Sequence, residues 1–89
     1  MALTFPQQTR DWDLRKNIID FRGEDGGKPI PCAISMGALI DHFGAGKGGK
    51  QACLAAFDRW HIAIEQKASE KYATQDRTSP LLLRRIDFG

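Results

Sequence analysis

Polar and apolar positions first alternate between Asn17 and Arg22, where Ile19 and Phe21 face one way and Asp20 and Arg22 the other. A period of two marks a half-buried strand. Ile18 interrupts it. The segment Gly23-Glu24-Asp25-Gly26-Gly27 follows, with glycines able to supply the positive φ of a reversal, and Lys28 to Ser35 resumes the alternation through Ile30, Cys32 and Ile34. The pattern predicts a β-hairpin. Pro29 and Pro31 lie two apart, face the same neighbour and both lack an N–H. They predict an edge strand whose outer side is free or only partly paired, joined to the 17–22 strand through the donors of Ile30, Cys32 and Ile34.

At Ser35 the period becomes helical. Ser35 is a good N-cap, Met36, Leu39, Ile40 and Phe43 recur at offsets of three and four, and Gly44 ends the short helix. After the connection Ala45-Gly46-Lys47-Gly48-Gly49, a longer amphipathic pattern runs from about Lys50 to about Ala73. Cys53, Phe57, Trp60, Ile64 and Ala68 make its apolar stripe, and Asp58, Arg59, Glu65, Lys67 and Glu70 its polar side. Phe57 and Trp60 are expected to anchor this helix to the sheet, so that truncating Trp60 would cost roughly 3 to 5 kcal/mol. Thr74 to Ser79 reads as a polar loop, and Pro80 introduces a Leu-rich terminal strand over 81–88, placed beside the 17–22 strand. Leu3 and Phe5 offer a further short strand.

The chain of 89 residues has room for one domain, residues 1–89. It contains no valine, so its strands rest on Ile, Leu and Phe. Thirteen Lys and Arg stand against eleven Asp and Glu, a net charge of +2, with the signs interleaved along the chain. A nucleic-acid binder would concentrate its cations in a stripe; nucleic acid is therefore not the expected partner. The N-terminus lacks the basic and apolar regions of a signal peptide, and no apolar run approaches the ~20 residues of a membrane span. A cytoplasmic protein without membrane partners is expected.

Candidate chemistry is sparse. Gly44 to Lys50 satisfies the phosphate-loop spacing G-x-x-x-x-G-K, but it follows a helix instead of a strand, and Gln51 stands where Ser or Thr would hold Mg²⁺. What remains is an anion site at a helix start: Lys47, Gly48, Gly49 and Lys50 would offer free N–H groups and two ammonium groups to a phosphate. Cys32, His42, Cys53 and His61 are zinc ligands by type, yet no two of them have the close spacing of structural sites. Both cysteines fall on core faces and are expected buried and reduced, which also argues against a Cys-His nucleophile pair. Asp87-Phe88-Gly89 copies a kinase magnesium triplet without any other kinase feature. Arg84 and Arg85 interrupt the last strand and at least one must face solvent.

Cys32-Ala33-Ile34-Ser35 leading into Ala38-Leu39 and Phe43-Gly44, behind a strand-turn-strand with Phe21 and Gly26, resembles the short bacterial proteins catalogued as domain of unknown function 1488. The resemblance runs from Phe5-Pro6 and Trp12-Asp13 to the closing strand, departing at Ala45 to Gly49 and at Arg84 to Phe88. It implies a small stand-alone α+β fold and no activity.

The expected architecture is α+β: a small antiparallel sheet, made of the N-terminal hairpin plus the C-terminal strand, with two helices packed on one face. The expected function is a non-catalytic interaction module, without cofactor or metal, that engages a protein partner; a homodimer is compatible with it. The alternatives are a weak anion or nucleic-acid binder using the Lys47 to Lys50 loop with Arg84 and Arg85, and a small enzyme.

Overall fold

In a computed structural model the chain forms a four-stranded sheet in the order β1-β2-β3-β4, with β1 at Asp11–Asp13, β2 at Ile18–Asp25, β3 at Lys28–Ser35 and β4 at Leu81–Leu83. Helices α1 (Met36–Phe43) and α2 (Lys50–Ala73) connect β3 to β4, and a 3₁₀ turn, Arg85–Phe88, closes the chain. The structure describes residues 3–5, 10–13, 15–47, 49–74 and 81–88. The fold is α+β.

The hairpin is longer and its turn tighter than the sequence pattern suggests. Gly26 and Gly27 alone make the reversal, with φ of 58° and 89°, the paired positive values of a hairpin turn whose twist matches its strands. Gly23, Glu24 and Asp25 therefore belong to β2, opposite Ile30, Pro29 and Lys28. Gly23 packs so closely that a Cβ there would lie 2.9 Å from the Phe5 ring. The N-terminal segment supplies a bridge at Thr4, paired with Glu24, instead of a strand.

The register lines up one apolar face. Trp12, Ile19, Ile34 and Leu83 form one row across the strands, and Phe21, Cys32 and Leu81 the next. α2 covers this face: the Phe57 ring meets Phe21 at 5.3 Å, the Tyr72 hydroxyl donates to Asp25 Oδ2 at 2.7 Å, and Ser69 bonds the backbone of Leu3. On the opposite face Arg22, Pro29 and Pro31 are exposed.

The terminal strand requires a correction. β4 has three residues, not eight, and lies beside β3, parallel to it, so the sheet is mixed instead of antiparallel. The outer side of β2 is already taken by β1, a segment too short to show a period. On β3, pairing with β4 begins at Cys32 and stops short of Pro31 and Pro29. Among the described residues, the first half of the strand's outer side has no partner strand, and pairing begins beyond the prolines. Two intervening helices carry the chain back to the end from which β3 started, as a parallel neighbour demands.

Caps set the limits of α1. The Ser35 hydroxyl accepts from Ala38 N–H at 3.1 Å, Gly44 is left-handed at φ 71°, and Ala45 N–H donates back to Leu39 C=O at 3.1 Å. Gly44 N–H donates to the same Leu39 carbonyl, so a left-handed glycine closes the helix end. α2 begins at Gly49 without a side-chain cap. It also breaks once: Trp60 has φ −114° and ψ 18°, outside the helical region. The second correction follows from this break. Trp60 does not anchor the helix on the sheet but stands 43% exposed, whereas Phe57 is buried.

Candidate functional site

A hollow of about 700 Å³ opens between the end of α1, the following loop and the first half of α2. Its position follows from the break at Trp60. Before the break α2 runs beside α1; after it, Ser69, Lys71 and Tyr72 tie the helix to the sheet end of the fold. Ala52, Ala55 and Ala56 line the α2 side, and side chains this short leave the space unfilled. Trp60 closes one end, its ring 6.2 Å from Phe43. Phe43 is in turn fixed edge-on against Phe88 at 5.1 Å.

The charged groups on this groove are of one sign. Arg59 stacks over the Trp60 ring, its guanidinium carbon 5.6 Å from the centroid, and Lys47 reaches the groove from the loop. His42 lines the same side, its Nε2 3.1 Å from the Arg85 carbonyl oxygen. Among the described residues no Asp or Glu lines the groove. The carboxylates nearest in sequence are engaged outside it: Asp58 with Arg10 and Asp41 with Arg85.

The described residues proposed for an anion site, Lys47, Gly49 and Lys50, lie within four positions of one another at the start of α2. Lys47 faces the groove, Lys50 is exposed without lining it, Gly49 caps α2 with φ 94°, and Gly48 lies outside the described residues. Arg84 and Arg85 are at the other end of the chain's path, both exposed, with Arg85 paired to Asp41 at 3.4 Å and lying against Gly37. The four metal-ligand types are scattered. Cys32 and Cys53 are free thiols inside the core, and His61 pairs with Glu65 at 3.4 Å. Among the described residues no group of His, Cys, Asp and Glu is placed to hold a metal ion.

Burial pushes the Cys32 thiol up to about 11, only partly offset by a backbone hydrogen bond from Gly23, and burial also raises Cys53. Neither is a thiolate at neutral pH. Burial likewise raises Asp20, helped by Asp13 and Asp11 against Lys16, on the open sheet face. There a smaller hollow of about 310 Å³ is lined by Arg10, Asp11, Asp20 and Arg22. Asp87 is held low: burial alone would raise it, but the Arg84 N–H at 2.8 Å and Lys71 Nζ at 3.0 Å outweigh that. Asp87 of the kinase-like triplet is thus tied to Lys71, which also donates to the Leu82 carbonyl at 2.6 Å, while Gly89 lies outside the described residues.

With the sheet order and helix arrangement known, the chain can be set against other proteins. Residues 3–83 match the family model described as "Protein of unknown function (DUF1488)". The chain belongs to the DUF1488 family. A crystal structure of a DUF1488 protein of unknown function from Shewanella loihica PV-4 superposes with a TM-score of 0.74 at 21% identity, over 93% of this chain and 90% of that one. At that identity the likeness speaks for the fold. No curated protein matches the chain. Among the described residues no helix is long and apolar enough to cross a membrane.

The groove was not foreseen as a site. Its one sequence signal was the closeness of Lys47 to the end of a short helix; Trp60 and Arg59 read as stripe and solvated face.

Proposed function

We propose that this DUF1488 protein is a non-catalytic interaction module that engages a partner through the α1–α2 groove. One observation carries the proposal: a tryptophan is turned outward at a helix break, beside an unfilled apolar hollow. Exposed aromatic rings at the edge of a pocket are typical anchors of protein interfaces. The nucleophile types present are supportive, since both thiols are buried with raised pKa values and a protonated thiol is a poor nucleophile.

The test is crosslinking from a defined position. A photoreactive p-benzoylphenylalanine in place of Ala55, an exposed groove residue, should yield a discrete adduct in cells of the native host, whereas the same group in place of Lys28, on the hairpin, should not. Equal adducts from both positions, or none from position 55, would overturn the proposal. The cytoplasm is the proposed setting, checked by fractionating the same cells.

A weak anion binder through Lys47 to Lys50 is the competing reading. It is favoured by an α2 start with neither a side-chain cap nor an acidic residue in its first turn. Titration with inorganic phosphate at low ionic strength separates the two, because only this reading expects saturable amide shifts confined to 47–51.

A further inference from the structure

The groove's chemistry points to the class of its occupant, on the assumption that the interaction reading holds. We infer that the α1–α2 groove receives an acidic segment of a protein partner carrying one bulky aliphatic or aromatic anchor. The floor and one end, Ala52, Ala55, Ala56, Phe43 and Trp60, are apolar, and only an apolar group gains by displacing water there. An anchor of Leu or Phe size fits over the alanines against the Trp60 ring. The cations stand above that floor, Lys47 on the loop side and Arg59 on the Trp60 side. Two flanking carboxylates on the partner would meet them, and among the described residues no carboxylate of this chain lines the groove.

Charge complementarity excludes the opposite partner, since a basic segment would bring cations against Lys47 and Arg59 with nothing to neutralise them. It also separates this occupant from a nucleic acid. A strand of phosphates needs a track of cations. Here two permanent charges flank a mainly apolar hollow, the neighbouring Arg10 and Arg85 are already paired with Asp58 and Asp41, and the whole chain carries only +2. Arg59 is held by stacking on Trp60, so it is pre-positioned for a carboxylate, and little side-chain freedom is lost on binding.

The experiment is selection from a random-peptide phage library against the intact protein, with the Lys47→Glu/Arg59→Glu double variant as counter-target. Both substituted residues are exposed, and circular dichroism verifies that the variant is folded. The expected result is enrichment of peptides with a net negative charge and a Leu, Ile, Phe or Trp anchor. Their affinity, read by quenching of Trp60 fluorescence in a Trp12→Phe background, should fall about tenfold or more in the double variant and with added salt. Peptides with Lys in place of the acidic residues should regain binding to the double variant. Enrichment of neutral or basic peptides, or failure of that charge exchange, would overturn the inference. So would a position-55 adduct of twice the chain's mass, which makes the occupant a second copy, or tighter binding of oligothymidylate than of the peptides. A position-55 adduct to another protein together with basic selected peptides would sink the acidic segment while leaving the interaction reading standing; loss of that adduct would sink both.

Discussion

Phe57 and Trp60 sit three residues apart on α2, and truncating each to alanine should have sharply different consequences. Phe57 is 3% exposed and packs on Phe21 in the core; its removal leaves a cavity, and about 3 to 4 kcal/mol is expected. Trp60 is 43% exposed, so a little over half of a tryptophan's area of about 200 Å² is covered. Allowing for what alanine would still bury, about 70 Å² is lost at ~25 cal/mol per Å², or roughly 1.5 to 2 kcal/mol. No cavity penalty is added, because water already reaches the groove, and alanine's better helix propensity returns a few tenths of a kcal/mol. A domain of this length has about 4 to 13 kcal/mol in total. Phe57→Ala should therefore be close to unfolding and Trp60→Ala comfortably folded. Urea denaturation followed by far-ultraviolet circular dichroism should separate their midpoints by more than about 1 M. Equal losses, or a larger loss for Trp60→Ala, would place Trp60 in the core and remove the wall on which the groove depends.

Asp87 is held below its ordinary 3.8 by Arg84 N–H and Lys71 despite its burial, so its contribution is present above the unfolded value and disappears as pH falls through the lower, folded one; Asp87→Asn should flatten the acid limb of a stability–pH curve. Asp20 is shifted the other way by burial and by Asp13 and Asp11, its contribution is lost as pH rises through the folded value, and Asp20→Asn should raise the thermal midpoint at pH 7. Cys32, pushed up to about 11 by burial, and the buried Cys53 should resist a thiol reagent until urea unfolds the protein; fast labelling at pH 7 would contradict that. Gly44→Ala forces a side chain into the left-handed conformation at φ 71° and should cost about 1 to 2 kcal/mol by the same denaturation assay.

Most of the framework was legible because local signals and tertiary packing agree. Ser35 and Gly44 mark the ends of α1 by hydrogen bonds they make themselves, and the alternation of Ile30, Cys32 and Ile34 names the face that α2 covers. The order of the strands was less legible, for a physical reason. Pro29 and Pro31 report that partners are lacking along part of β3, which reads as an edge, but nothing local reports that Cys32 to Ile34, beyond them, would be paired by a strand from the far end of the chain. β1 escaped notice because in Asp11-Trp12-Asp13 a period of two is indistinguishable from chance.

The groove was hidden by a sound inference about a straight helix. At about 100° per residue, Trp60 would project some 20° from Cys53 and about 40° from Ile64, at the margin of the stripe of Cys53, Ile64, Phe57 and Ala68 and between it and the buried Ala56. The break at Trp60 turns it outward, and Arg59-Trp60-His61 contains neither Pro nor Gly to announce one. The break is tertiary in origin. The first half of α2 has α1 for a neighbour, through Phe43 and Trp60, while its second half is fixed to the N-terminal segment, the hairpin end and β4 by Ser69, Tyr72 and Lys71. The break at Trp60 falls between these two sets of contacts, and the residue there is turned outward. A large aromatic ring placed there loses burial, and a smaller polar residue would fill the position without that loss. On the interaction proposal, the outward part of the Trp60 ring is what a partner would cover, while its inner part rests on Phe43.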